Sequence, residues 1–218
     1  MTLQTLLSLI LSAGTCSLAA AAEPIKIGSR LELFVDDYLI DQTDGVEQVL
    51  HTPIPREIAL VFDRPWEGMA SAYHTIMRDE TAGLYRAYYR GMDFNEGHEV
   101  TCYAESKDGL TWTRPTLDLY KYGGARKNNI IWKHPAHLEK GRTAPNFTPF
   151  IDTRPGVPDK QRYKALAGMP AYALVSADAI HWKPIDEKPV ITEHRGAAAA
   201  HDSQFAAWWD ETCKCYVL

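Results

Sequence analysis

Residues 104–112, which read AESKDGLTW, decide the fold because they form a hairpin tip and because they recur. Asp108 and Gly109 are the residue types that a tight turn requires, and Trp112 lies in the returning strand. Residues 173–182 (ALVSADAIHW) repeat Ser, Asp, an aliphatic residue and Trp at the same spacing, and a proline follows each copy. We therefore predict a structural motif, in which Ser and Asp side chains cap turn amides while the Trp packs beneath.

A second pattern surrounds this motif: a strand that ends in Asp, a polar turn, and a second strand with aromatic residues. Asp79, Asp152 and Asp210 close the three first strands, and this shared position indicates a structural role. The Ser-x-Asp hairpin follows in the first two copies, and no helical periodicity competes. The order strand, strand, hairpin, repeated at roughly sixty to seventy residues, predicts an all-β chain built as a β-propeller. An ordinary β-sandwich is the rival, but it would not explain motifs that recur in order.

The predicted propeller is incomplete. The third unit stops at Leu218 after its second strand, so we expect about two and a half blades, a partial ring truncated relative to its architecture. The exposed sheet edge would then favour self-association. We expect residues 23–59 to form an extended lead-in that contains a strand, a turn and a short strand around residues 31–40. The incomplete propeller domain is expected to span residues 60–218, beginning with a strand at residues 60–63.

Composition excludes several classes of protein. The 218 residues are 45% hydrophobic and 23% charged, which predicts a folded core, and the net charge of −5 argues against nucleic acid and anionic membranes as partners. Residues 1–22 have an apolar run followed by small residues and no charge, which predicts a secretory signal peptide. The apolar part is too short to predict a membrane span. We therefore expect an exported protein, periplasmic or extracellular.

The cysteines predict neither a disulfide nor a metal site. After cleavage of the signal peptide three cysteines remain, Cys102, Cys213 and Cys215. The last two lie on one face of an expected strand, which disfavours a disulfide between them in regular β geometry. Two thiols alone do not make a metal site, so we expect neither a metal nor another cofactor.

Six stretches of the chain carry a family resemblance. They are residues 33–40 (LFVDDYLI), 64–68 (RPWEG), 88–91 (YYRG), 128–132 (NNIIW), 146–150 (NFTPF) and 202–204 (DSQ). They resemble exported bacterial proteins related to the five-bladed propeller glycoside hydrolases, which are grouped with the N-terminal domain of glycoside hydrolase family 32. The resemblance runs from about residue 30 to the end and covers the first half of such a propeller. It implies a carbohydrate-active protein that acts on poly- or oligosaccharides.

The resemblance also implies candidate catalytic residues. In the hydrolases, carboxylates from the inner strands of the first three blades face the central channel, and two of them flank the glycosidic bond. Asp202 matches the general acid of the third blade, although the family uses Glu there. Asn146 stands at the second-blade position, and the first has no carboxylate, with Glu67 the nearest acid. The family's three carboxylates are therefore not all present in this chain. We expect Asp202 to be the proton donor and Glu67 the base.

Five further residues are candidate substrate contacts. Tyr73 and His74 begin the first inner strand and could bind sugar hydroxyls, although strand aromatics more often form core. Arg90 could hold a carboxylated sugar or pair with a nearby acid. Asn146 and His201 complete the set.

Three functions remain open. The first is a glycoside hydrolase, and the second is a non-catalytic glycan-binding or scaffolding propeller, or an inactive fragment. The third is a sialidase-like six-bladed propeller, because the Ser-x-Asp hairpin resembles the sialidase Asp-box with one spacer residue fewer.

Overall fold

A computed structural model describes residues 23–93, 98–133, 146–168, 170–191 and 204–218. The chain divides into two compact parts, an N-terminal part, Met1–Pro55, and a C-terminal part, Arg56–Leu218. No described helix is long and apolar enough to cross a membrane. The proposed signal peptide, residues 1–22, lies outside the described residues.

The described residues of the N-terminal part, 23–55, contain turns but neither helix nor strand. Ile40 N donates to Asp37 O at 3.0 Å, and Tyr38 N donates to Asp36 Oδ1 at the same distance. The expected strands in residues 31–40 are therefore wrong. A strand requires a partner for its backbone groups, and these residues form no ladder even though their apolar pattern suits one.

The C-terminal part, Arg56–Leu218, is all-β. Its described residues form no α-helix, only one short 3-10 helix at Asp159–Gln161 and eleven strands. The strands are β1 (Ala72–Asp79), β2 (Leu84–Asp93), β3 (His98–Ser106), β4 (Trp112–Thr113), β5 (Ile130–Trp132), β6 (Thr148–Ile151), β7 (Tyr163–Ala167), β8 (Tyr172–Ser176), β9 (Lys183–Pro184), β10 (Trp208–Asp210) and β11 (Cys215–Val217). The expected strand at residues 60–63 does not form, although Leu60 and Phe62 still pack against the core.

Three separate antiparallel sheets repeat one order of strands. β1 to β4 pair consecutively, with β5 added beside β3; β6 to β9 pair in the same way; β10 and β11 form a hairpin. The predicted sequence of strand, strand and Ser-x-Asp hairpin is confirmed in the first two sheets. None of the three described sheets closes on itself.

The core consists of two clusters on opposite faces of the first sheet. Tyr88 points towards the second sheet and packs with Phe147 and Trp182, while its neighbour Tyr89 points the other way, because successive strand residues alternate. The second cluster also buries Cys102, and burial raises the pKa of that thiol well above its ordinary value.

Cys213 and Cys215 form a disulfide, contrary to the sequence expectation. The expectation assumed a regular strand, but Lys214 between them has a φ of +53°, and β11 starts only at Cys215. This turn conformation brings the two Cα atoms to 5.4 Å, within the range that a disulfide spans.

Candidate functional site

The first inner strand begins with a strained residue. Tyr73 has a φ of +54°, a left-handed conformation that non-glycine residues rarely adopt. The β1–β2 register shifts between Ala72 and Thr75, which places one extra residue on β1 as a β-bulge. Such strain costs about 1–3 kcal/mol, and strained residues and bulges are often found at functional sites.

Arg90 covers the Tyr73 ring. Its guanidinium carbon lies 4.4 Å from the ring centroid, and its Nε donates to Ala70 O at 3.3 Å. Arg90 Nη1 also lies 3.8 Å from Glu99 Oε1, and the two side chains are only 15% and 17% exposed. Arg90 was expected either to hold a carboxylated sugar or to pair with a nearby acid. It makes that ion pair, with Glu99, and a cation–π contact with Tyr73.

Glu99 is a site residue that the sequence analysis missed. Burial raises its pKa, with the Arg90 charge acting in the opposite direction. Glu99 stands opposite Met92 while Arg90 stands opposite Thr101, so alternation puts both charged side chains on one face of the sheet. Counting back along β3 from the Ser-x-Asp turn could have revealed this placement.

Near this point the third unit contacts the first, and the second unit contacts the third. Gln204 Nε2 donates to Tyr73 O at 3.2 Å and to Thr75 Oγ1 at 2.6 Å. Thr148 Oγ1, at the start of β6, donates to Phe205 O at 3.0 Å. Gln204, Thr75 and Thr148 were not singled out from the sequence. Gln204 and Thr148 do lie in two of the stretches that carry the family resemblance, residues 202–204 and 146–150, whereas Thr75 lies in none of them.

The remaining candidates lie in different environments. Asn146 precedes β6 and is fully buried. His74 is directed to the face opposite Tyr73, where its ring centroid lies 4.9 Å from that of Phe62, and partial burial lowers its pKa. His74 therefore does not join Tyr73 and Arg90.

Glu67 is fully buried in a hydrogen-bond network. Its Oε1 accepts from Tyr89 OH at 2.6 Å and from Arg114 Nε at 2.8 Å, and its Oε2 accepts from Arg64 N at 2.9 Å. Asn129 Nδ2 extends the network by donating to Tyr89 OH. A general base must reach water or substrate, so this geometry weighs against the expected base role and favours a structural one.

Asp202 and His201, the expected proton donor and its neighbour, lie outside the described residues. No group of three His, Cys, Asp or Glu side chains suited to a metal ion occurs in the described ranges. No protein family, curated protein or solved structure matches the chain.

Proposed function

We propose that the chain is an exported carbohydrate-active protein of the five-bladed propeller type, which binds a poly- or oligosaccharide beside Tyr73. The main support is the pair of hydrogen bonds from Gln204, which tie the third unit to the strained start of β1. An aromatic ring, a guanidinium and a half-buried carboxyl there are the side chains that bind sugar rings and hydroxyls. Export rests on the composition of residues 1–22.

The proposed reaction is hydrolysis of a glycosidic bond by two carboxyl groups. Asp202, two positions before Gln204 in the sequence, would protonate the leaving oxygen. Glu99 replaces Glu67 as the candidate base. Glu67 is fully buried and accepts four hydrogen-bond contacts, whereas Glu99 is partly exposed and has only the Arg90 contact at 3.8 Å among the ion pairs of the described residues. A carboxylate with a raised pKa accepts a proton more readily near neutral pH.

The test is turnover and binding over a panel of poly- and oligosaccharides. Reducing-end release would be measured for the unsubstituted chain, Asp202→Asn and Glu99→Gln, and affinity by calorimetry. We expect both variants to lose at least about a hundredfold in turnover while they keep their affinity, the scale of a lost general acid or base. Asp186→Asn, an exposed acid remote in sequence, is the matched control. Full turnover in Asp202→Asn would remove that residue from the mechanism.

A non-catalytic glycan-binding protein is the second candidate. It is favoured because Glu67 and Glu99, the two described carboxylates considered for catalysis, both have basic partners. This function predicts affinity without turnover for every glycan tested.

Tyr73→Gly would test the binding site under either function. It removes the ring and also relieves the left-handed backbone, so we expect glycan affinity to fall while thermal stability is retained. Unchanged affinity would place the glycan elsewhere.

A further inference from the structure

The turns that join the first two strands of the first and third units have nearly the same sequence. Residues 79–84 read DETAGL between β1 and β2, and residues 210–215 read DETCKC between β10 and β11. The two turns share their first three residues and differ at the last three. Two of these differences are the cysteines of the disulfide, Cys213 and Cys215.

The same hydrogen bond closes both turns. Ala82 N donates to Asp79 Oδ1 at 3.2 Å in the first unit, and Cys213 N donates to Asp210 Oδ1 at 3.0 Å in the third. In each turn the residue five positions after the aspartate pairs with it across the two strands. The first unit has alanine and leucine at the two cysteine positions, so this turn forms without a disulfide.

A left-handed residue completes both turns. It is Gly83 in the first unit, with a φ of +64°, and Lys214 in the third, with a φ of +53°. Glycine adopts this conformation readily, whereas a lysine there is strained. Strained backbone residues cluster at functional sites. In the third unit the strained residue lies directly between the two cysteines.

The disulfide constrains very little of the chain. It joins residues two positions apart, so its ring encloses Lys214 alone between the cysteines. In the chain-entropy model the stabilisation by a disulfide grows with the length of the loop that it closes. The turn is already held by Asp210 and by the pairing of the two strands. Chemical reactivity is therefore the property that these cysteines add to the turn.

Both cysteines are exposed to solvent. The turn of the first unit is open in the same way, although that unit forms a five-stranded sheet. Its Ala82, at the position of Cys213, is exposed, and its Leu84, at the position of Cys215, is half-buried. Exposure is thus a property of this turn and is greater at the position of Cys213. Exposed disulfides are more easily reduced than structural ones and include the labile, regulatory and catalytic disulfides.

We propose that Cys213 and Cys215 are a redox-active pair that oxidises a polypeptide with two neighbouring thiols. A substrate thiolate attacks Cys213 Sγ and forms a mixed disulfide, while the Cys213–Cys215 bond breaks and Cys215 leaves as a thiolate. The second substrate thiolate then attacks the substrate sulfur of the mixed disulfide and releases the Cys213 thiolate. The substrate dithiol loses two electrons, and its two protons pass through water to the reduced pair. A small-molecule disulfide restores the pair by the reverse exchange.

The turn keeps the reduced pair ready to close again. Cys215 is held at the start of β11 by its pairing with Asp210, and the turn brings the Cα atoms of the two cysteines to 5.4 Å. Cys215 can therefore attack a mixed disulfide at Cys213 and release the bound thiol. The proposal does not depend on the carbohydrate function.

The test measures the redox equilibrium and the exchange rate of the full chain. The protein is equilibrated with mixtures of reduced and oxidised glutathione, and its thiols are then alkylated and located by mass spectrometry. We expect Cys213 and Cys215 to change from disulfide to dithiol within these mixtures. The chain should also speed the oxidation of a dithiol peptide by oxidised glutathione at least about tenfold. Cys102 is buried and should stay unlabelled in the folded protein.

The matched control is the double variant Cys213→Ala with Cys215→Leu, which gives the third turn the residues of the first. It should lose the acceleration, and its melting temperature should fall by no more than about 5 °C, the scale for so short a ring. The single variant Cys215→Ser lacks the thiol that resolves the mixed disulfide. It should therefore accumulate a glutathione adduct at Cys213.

Three results would overturn the proposal. The first is a pair that stays oxidised in every glutathione mixture, as a structural disulfide does. The second is a chain that oxidises the dithiol peptide no faster than its double variant. The third is a double variant that unfolds, since the disulfide would then be a structural cross-link.

Discussion

The turn after β3 and the turn after β8 are held by matching hydrogen bonds. Ser106 Oγ accepts from the N–H groups two and three residues later at 3.2 and 2.8 Å, and Ser176 Oγ accepts from its counterparts at 3.2 and 2.9 Å. Asp108 Oδ1 likewise accepts at 2.8 and 2.7 Å, and Asp178 Oδ1 at 2.9 and 2.8 Å. The local sequence therefore determines the turn.

The environments of the two turns differ. Ala179, in the second turn, is fully buried, and its carbonyl accepts from Tyr88 OH of the first sheet at 3.0 Å. Gly109, its counterpart, is half-buried. Within the described ranges, tertiary packing thus gives the second copy of the motif a contact between sheets that the first copy does not make. Substitutions at matched positions of the two turns can separate the contribution of local hydrogen bonds to stability from that of tertiary packing.

The tryptophans beneath the turns should show the largest difference in stability. Trp182 lies in the main cluster, with its ring centroid 5.0 Å from that of Phe147, whereas Trp112 is half-buried. We expect Trp182→Ala to lower the free energy of unfolding by about 3–5 kcal/mol and Trp112→Ala by about 1–2 kcal/mol. Denaturant unfolding measures both. Equal losses would show that the turns contribute alike, whatever their burial.

The hydroxyl that joins the second turn to the first sheet should also contribute to stability. Tyr88→Phe removes the hydrogen bond to Ala179 O and leaves the buried carbonyl with its other donor, Trp182 Nε1. We expect a loss of about 1 kcal/mol in the free energy of unfolding. Tyr122→Phe removes an exposed hydroxyl bonded to Pro65 O and is expected to change stability by less than about 0.5 kcal/mol. A Tyr88→Phe variant as stable as this control would contradict the tertiary role.

The sequence predicted the parts of the fold that depend on neighbouring residues. The Ser-x-Asp turns and the strand order were found because each turn bonds within a few residues of itself. The strands expected around Asp36 and Asp37 failed because a strand depends on a distant partner, which a local apolar pattern does not reveal. β5 was missed as a strand for the same reason, since its pairing with β3 bridges some thirty residues.

The candidate site was less predictable than the fold. The structure brings Tyr73 and Arg90 together, but the β-bulge and its left-handed residue gave no sequence signal because Tyr is an uncommon choice there. Glu67 was judged from its neighbours in sequence, while its role is set by Arg114, 47 residues away. Non-local pairing of charged groups therefore decided which acids were available for chemistry.

Exchanging the left-handed residues of the turns should affect the two turns differently. Gly109 and Ala179 have φ values of +78° and +68°. A Cβ at Gly109 would meet the Tyr85 ring at 3.7 Å, which is ordinary contact, so Gly109→Ala should cost only the backbone term of about 1–2 kcal/mol. In Ala179→Gly the relief of that strain is offset by the loss of a buried methyl and by a more flexible unfolded chain. We therefore expect almost no change in melting temperature there, and a clear gain would contradict this balance.

Acid should affect the two turns alike, because it acts on the hydrogen bonds they share. Partial burial acts to raise the pKa of Asp178, but the N–H and ring of His181, with further donors, lower it from 3.8 to about 2. The N–H groups of Thr111 and Leu110 lower the pKa of Asp108 in the same direction. A carboxyl with a lowered pKa stabilises the fold above its unfolded pKa, and this stabilisation is lost as pH falls through the folded value, here between about pH 4 and pH 2.

The measurement is the change in melting temperature between pH 5 and pH 2.5. We expect Asp108→Asn and Asp178→Asn to be less stable than the unsubstituted chain at pH 5 and to lose less on acidification, since neither carries the titrating carboxyl at that turn. Asp186→Asn, which changes an exposed acid elsewhere, should keep the full acid loss. If only Asp178→Asn reduced the loss, burial of the second turn and not the shared hydrogen bonds would govern the response to acid.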